Sequence, residues 1–344
     1  MILQLIKLAE NGFLPDFLVR YGIYLTCKGR LEKESGYSIE ELEAKKQKWI
    51  AQMQNSDIAL VPDKANEQHY EVPAEFFDIV LGPQLKYSSG YWERDTLGLE
   101  DSENNMLSIS VERAEIEDGM KILDIGCGWG SLSFYMAQRY PNSQIISVSN
   151  SKDQREFIKS KCDRIGIENI NAMTADMNEF KPKNRFDRVV SIEMFEHMRN
   201  YKELLFRISS WLKDDGKLFI HIFSHKSFVY PFENERESDW MAREFFSGGM
   251  MPSHDLLLNF QKNLNIEKTW RISGQHYEKT SLSWLKKMDS NKSKIIRIFS
   301  DTYGAKKSKL WFQRWRIFFM SCEKLFGFNN GQEWGISHYR FIKK

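Results

Sequence analysis

The chain has 344 residues, with Lys+Arg 49 against Asp+Glu 47 and a formal net charge of +2. It is long enough for a full α/β domain with added elements, and it carries no long-range field to draw in nucleic acid. Cys27, Cys127, Cys162 and Cys322 lack CxxC spacing, which argues against a disulfide framework or a zinc site and points to a reducing, cytoplasmic setting. No apolar run reaches the length of a membrane span, although peripheral membrane contact stays open. MILQLIKLAENGFLPDF is broken by Lys7, Glu10 and Pro15, and no small-residue cleavage site follows it.

Residues 1–84 are charged and helical in period, and are expected to form an N-terminal cap. YSIEELEAKKQKWIAQMQN reads as a helix opened by a capping box of Ser38 and Glu41. From Lys121 strands and helices alternate. KILDI (121–125), QIISVS (144–149), NINAMTA (169–175), FDRVVSIE (186–193) and GKLFIHIF (216–223) read as strands, with helices SLSFYMAQRY, KDQREFIKSKCDRIG and NYKELLFRISSWLK between them. IEKTWRIS (266–273) and SHYRFIKK (337–344) add two more strands, separated by a helical block over about 280–325. The pattern predicts a doubly wound, mostly parallel seven-stranded α/β sheet. Residues 85–344 would form this domain, with its core at 117–223 and a substrate-side insertion and C-terminal hairpin at 224–344.

The segment KILDIGCGWG couples a buried strand to a glycine turn at the place where such folds bind nucleotides. A dinucleotide fingerprint wants a third glycine where this chain has Ser131, so the spacing is GxGxG. The turn resembles motif I of S-adenosylmethionine (SAM) dependent methyltransferases. Asp124, Gly126 and Gly128 would then hold the methyl donor. Ser149, Asn150 and Gln154 after the second strand, and Asp176 with Met177 after the third, would extend its site. Helix capping is the other reading of Ser149 and Asn150. In SIEMFEHM, Glu193, Glu196 and His197 stand at i, i+3 and i+4, so a helical turn would aim all three at the ligand crevice. A carboxylate and imidazole there could take a proton from an amine; acidic residues at a helix start with a structural histidine are the alternative.

YSSGYW (87–92), LDIGCGWGS, SVSNSKDQ, FDRVVSIEMFEHM and FGFNNGQEWGISHYRF together resemble the cyclopropane-fatty-acyl-phospholipid synthase family of SAM-dependent methyltransferases, over about Leu14 to Lys343. FFSGGMMPSHDLLLNFQ and WRISGQHYEKTSLSWLKKMD bring the chain closest to the coclaurine N-methyltransferase-like branch. The resemblance implies that Tyr87 and Ser88 contact the methionine end of SAM, and that Glu193, Glu196 and His197 position and deprotonate an amine. Aromatic faces at Tyr87, Tyr91 and Trp92 would also attract a sulfonium.

In the lipid synthases a bicarbonate is held at positions matching Ser89 (a cysteine there), Glu196, His221 and Tyr277. Glu193 stands where those enzymes usually carry glycine, which favours an amine. His221 stands where the alkaloid enzymes usually carry glutamate, which pulls the other way. The expected function is N-methylation of a small or amphipathic amine. The alternatives are cyclopropanation or methylation of unsaturated phospholipid chains, with bicarbonate, and a non-catalytic SAM-binding protein. His221, His225, His254 and His276 have no acid or cysteine at ligand spacing, so no metal is expected. Tyr230, Phe232, Trp240, Phe245 and Phe246 read as cavity wall or as packing.

Overall fold

Runs of β-branched and large apolar residues form strands β1 (Lys121–Ile125), β2 (Gln144–Ser149), β3 (Ile170–Thr174), β4 (Phe186–Ile192) and β5 (Leu212–His225), all joined by parallel pairing. A short ribbon, β6 (Tyr230–Pro231) with β7 (Met250–Met251), follows. Then β8 (Leu264–Ser273) and β9 (Trp334–Lys343) complete the main sheet in the order β3-β2-β1-β4-β5-β9-β8. The computed structural model describes residues 2–60, 72–235 and 239–344. The strand order reverses between β1 and β4, so the crevice at their carboxyl ends is where this fold binds ligands.

Strand β5 runs further at both ends than its apolar pattern predicts. It pairs antiparallel with β9 from Lys217↔Ile342 to His225↔Trp334, and that ladder satisfies backbone groups which the pattern alone left to a loop. The expected helical block is three helices, Gln275–Ser290, Lys292–Tyr303 and Ala305–Gly327. The last break falls at Gly304, whose φ of 83° cannot continue a helix.

The N-terminal helices divide between two cores. Ile2–Glu10 and Asp16–Ser35 lie against Ala305–Gly327, tied by Arg20–Glu323 (2.8 Å), Arg314–Glu10 (2.8 Å) and Arg316, which grips both Asp16 (2.7 Å) and Asp289 (2.6 Å). The third helix, Ile39–Gln54, opens with the expected capping box: the Glu41 N–H donates to Ser38 Oγ, and the Ser38 N–H donates to the Glu41 carboxylate. It packs instead beside helix Tyr201–Trp211, with Lys46 paired to Asp255 at 2.7 Å. Its Ile50 and Met53 enter a core with Leu204, Leu205 and Ile208, whereas Cys27 enters an aromatic core with Phe76, Phe77, Trp284, Trp315 and Phe245. Among the described residues no helix is long and apolar enough to cross a membrane.

Replacing Arg316 with Met removes the charge that two carboxylates share. The expected loss is local and about 1–2 kcal/mol, between the values for exposed and buried pairs. Hydrogen exchange would read it as faster amide exchange in Asp16–Ser35 with β1 to β5 unchanged; uniform protection in both regions would refute it.

Candidate active site

Ile122, Leu123 and Ile125 are buried in the sheet and deliver the chain to a turn at its carboxyl edge. Gly126 has φ of 75°, and a Cβ there would lie 2.6 Å from the Met194 side chain, so only glycine fits. At Gly128 (φ 54°) a Cβ would meet nothing within 4 Å, because the turn borders open space. That space is two cavities sharing Gly126, Gly128, Gln154, Glu193 and His197. Tyr87, Ser88 and Asp124 line the first; Ser149, Asn150, Asp176 and Met177 line the second. All ten residues assigned to the methyl donor therefore border one continuous groove.

Residues along the groove carry polar atoms that no protein group satisfies. Gln154 Nε2, Ser131 Oγ and Trp129 Nε1 are buried without a protein partner, and all three residues line the first cavity. Ser149 Oγ donates to Gln154 Oε1 at 2.6 Å and so fixes the amide with its NH2 unengaged. Helix capping falls to Ser151, whose Oγ accepts from the Gln154 N–H, rather than to Ser149 or Asn150. The Asp124 carboxyl accepts from Ser133 Oγ at 2.6 Å, and burial pushes it up to about 7. Asp176 accepts from the Asn178 N–H at 2.8 Å, and Asn178 pairs with both backbone groups of Ala59 at 3.0 Å. The chain after helix Ile39–Gln54 is thereby pinned to the second cavity, which Ala59 lines. This polar set, with an acid and neutral polar groups in each cavity, suits SAM.

Glu193 sits where the two cavities meet. Its φ is 47°, in the left-handed region that favours glycine, at a strain of about 1–2 kcal/mol. Its own N–H donates to the His221 carbonyl at 2.8 Å. Three groups converge on its carboxylate: Tyr277 OH donates to Oε2 at 2.7 Å, the Ser89 N–H to Oε1 at 3.2 Å, and His221 Nε2 lies 3.2 Å from Oε1. Burial pushes Glu193 up to about 7, opposed by Lys86, Tyr277 and Ser89. Lys86 is itself buried, bonded to Ser88 Oγ, and drawn down to about 8 by burial against the pull of Glu193 and Glu103. The groups that the lipid-synthase resemblance assigned to a bicarbonate, at Ser89, His221 and Tyr277, thus close around a side-chain carboxylate of the protein.

The expectation that Glu193, Glu196 and His197 share one face is corrected. The turn after β4 is a three-residue 3-10 turn, Phe195–His197, and it starts from left-handed backbone at Glu193 rather than from a helix. Glu193 and His197 line the cavities, with the His197 ring 4.4 Å from that of Phe246. Glu196 is fully buried and lines neither. It accepts from the Phe223 N–H at 3.3 Å, and burial with the Glu193 charge raises it far above the usual carboxylate range. His221 is also buried beneath the cavity floor and reaches the groove only through Glu193.

The aromatic readings divide. Of Tyr87, Tyr91 and Trp92, Tyr87 alone lines the donor groove; Tyr91 stacks on His276 at 4.2 Å, and Trp92 Nε1 donates to Thr280. Phe232 and Phe246 are cavity wall, whereas Tyr230, Trp240 and Phe245 are buried in the aromatic core. The remaining histidines are scattered: His225 accepts from the Ser227 and Phe228 N–H groups, His254 bonds to Ser337, and His276 accepts from the Trp92 N–H. Among the described residues no cluster of His, Cys, Asp or Glu could hold a metal ion. Sequence reasoning missed Ala59, Trp129 and Lys86. A signal existed for Lys86, a lone cation directly before YSSGYW.

Residues 61–334 match the family model described as mycolic acid cyclopropane synthetase. Along its full length the chain is 36% identical to (S)-coclaurine N-methyltransferase of Thalictrum flavum subsp. glaucum, covering 96% of that protein. Over 78% of its length it is 26% identical to cyclopropane-fatty-acyl-phospholipid synthase of Escherichia coli (strain K12), covering 64% of that protein. The fold matches a crystal structure of coclaurine N-methyltransferase bound to N-methylheliamine and SAH, with a TM-score of 0.96, 34% identity and 99% of each chain covered. With the groove, its donor set and the seven-stranded sheet, these likenesses show that the chain belongs to the mycolic acid cyclopropane synthetase family and is a SAM-dependent methyltransferase.

Proposed function

We propose that this chain methylates the nitrogen of a small or amphipathic amine with an apolar ring body, using Glu193 as the proton acceptor. One observation carries the reading: a carboxylate whose proton affinity lies near neutrality stands where the donor groove opens into an aromatic cavity. Bound SAM supplies an electrophilic methyl on a sulfonium. An ammonium ion has no lone pair to offer it, so the proton must leave first. Ionised Glu193 accepts that proton, and the nitrogen forms its C–N bond as the methyl–sulfur bond breaks. The proton left on Glu193 then passes to solvent, which balances the reaction.

Phe223, Phe232, Phe246 and Phe326 give the acceptor an apolar enclosure and the ammonium aromatic faces. His197, packed on Phe246 at the same junction, orients the amine. Glu196, held far above the usual carboxylate range by burial and the Glu193 charge, backs Glu193 from beneath, since two adjoining carboxylates do not both ionise readily. The likeness to N-methyltransferases along the whole chain supports an amine acceptor. The lipid reading draws on His221 and Tyr277, but their focus is filled by Glu193, so bicarbonate has no seat in this reading. Four unpaired cysteines support a reducing cytoplasm as the place of action.

Purified protein offered heliamine or coclaurine is expected to transfer label from methyl-labelled SAM to nitrogen. Glu193→Gln would lower kcat about 100-fold or more, the scale of a lost general base, while SAH affinity holds. A Glu193→Gln enzyme with wild-type turnover would refute the role. Vesicles of unsaturated phospholipid, with bicarbonate, are expected to yield no cyclopropane chains by mass spectrometry; their formation would replace the amine reading with the lipid one.

The raised Glu193 also predicts a pH signature in binding. Below about 7 the group is neutral and above it anionic, so the sulfonium is attracted only on the alkaline side. SAM affinity relative to that of SAH, which lacks the sulfonium charge, should rise about tenfold between pH 6 and 8, and Glu193→Gln should flatten the ratio. A ratio independent of pH in the unaltered protein would contradict this.

A further inference from the structure

Behind Glu193 a chain of buried side chains continues to the far side of the β5–β9 ladder. His221 and His338 are direct register partners on these strands, and both are fully buried. His338 Nε2 lies 2.9 Å from His221 Nδ1, and Arg113, in the last turn of helix Leu99–Arg113, places a guanidinium N–H 2.9 Å from His338 Nδ1. The guanidinium rests over the Trp270 ring at 4.9 Å, which fixes its direction.

Arginine only donates, so the proton positions along this chain are determined. Facing Arg113, His338 Nδ1 must be an acceptor, and its proton is on Nε2. That N–H faces His221 Nδ1, which must accept, so the His221 proton is also on Nε2 and points at Glu193 Oε1. Both rings are neutral in this arrangement, in line with burial holding each far below the usual histidine range. The reversed arrangement, each ring protonated on Nδ1, would let a protonated Glu193 donate to His221 Nε2. Arg113 forbids it.

We propose that Arg113 and His338 are positioning residues that lock His221 as a proton donor to Glu193, and so keep the catalytic carboxylate in its ionised, proton-accepting form. The inference rests on Glu193 being the base. The other charged or titratable groups facing Glu193 are Lys86, Tyr277, Glu196 and Cys322; those facing Arg113 are Tyr91, Glu112 and Arg340, which donates to the Arg113 carbonyl and shares the Trp270 ring. None of these supplies a donor to His338, so none replaces the lock among the described residues.

The test uses nitrogen-15 imidazole NMR of the full chain, which reads tautomers without substrate, together with the pH profile of amine methylation. In the unaltered protein His221 and His338 should both show the Nε2–H tautomer from pH 6 to 8. In Arg113→Met both should shift toward Nδ1–H, and the acidic limb of kcat/KM should move up by about one pH unit, the scale of one charge-assisted hydrogen bond. Arg113→Lys, still donor-only, should restore both readouts. If Arg113→Met does not fold, Arg113→Gln, which can also accept, should give the same shift. A folded Arg113→Met or Arg113→Gln protein with unchanged tautomers and an unmoved limb would overturn the proposal. Wild-type turnover in Glu193→Gln would instead overturn the reading on which it rests.

Discussion

A carboxylate held on left-handed backbone, inside a ring of three donors, is the constraint around which the rest of the site is arranged. Glu193 reaches that position because β4 ends beside β5, where the His221 carbonyl takes its N–H and the His221 ring approaches its Oε1. Glycine would adopt this φ without strain. A bulky acidic residue there is explained by what its side chain does rather than by the turn it makes. Tyr277, His221 and the Ser89 N–H would enclose a small anion if Glu193 were absent. With it present that space holds a carboxylate of the protein itself, where the two cavities meet.

An aromatic layer lies behind that carboxylate. The helical block between β8 and β9 lines the crevice, and two N-terminal helices pack on the block through ion pairs at Arg20, Arg314 and Arg316. Their apolar faces bury Phe76, Phe77, Trp284 and Trp315 behind the cavity. The low dielectric they create raises Glu193 and Glu196 and lowers Lys86, chiefly through the poor solvation of charge. Two raised carboxyls and a lysine lowered to about 8 stand side by side, groups that in water would all be charged.

Much of this was legible in the chain. The seven strands and the glycine turn follow from local pattern, because a buried parallel strand must be apolar throughout and a cofactor turn must be free of Cβ atoms. Most of the donor residues lie at or just after strand ends, where sequence position and spatial position coincide; Tyr87 and Ser88 precede every strand, and only the YSSGYW motif marked them. The shared face expected of Glu193, Glu196 and His197 was not legible. It depended on the backbone at Glu193, which β5 pairing sets and helical spacing does not reveal. Tyr91 and Trp92 belong to a motif that points at SAM, yet they face His276 and Thr280, residues remote in sequence. Arg113 and His338 are likewise 225 positions apart and meet only through the sheet register.

The central claim is that amine methylation here needs a carboxylate at one place, and that Glu193 puts it there. Glu193→Gly removes the side chain while relieving the backbone, leaving an anion-sized space among Tyr277, His221 and Ser89. Methyl transfer to heliamine by this variant, measured with and without added formate in bicarbonate-free buffer, tests the claim most directly. The account predicts a nearly inactive variant that formate partly restores. Full turnover without any added carboxylate would contradict it.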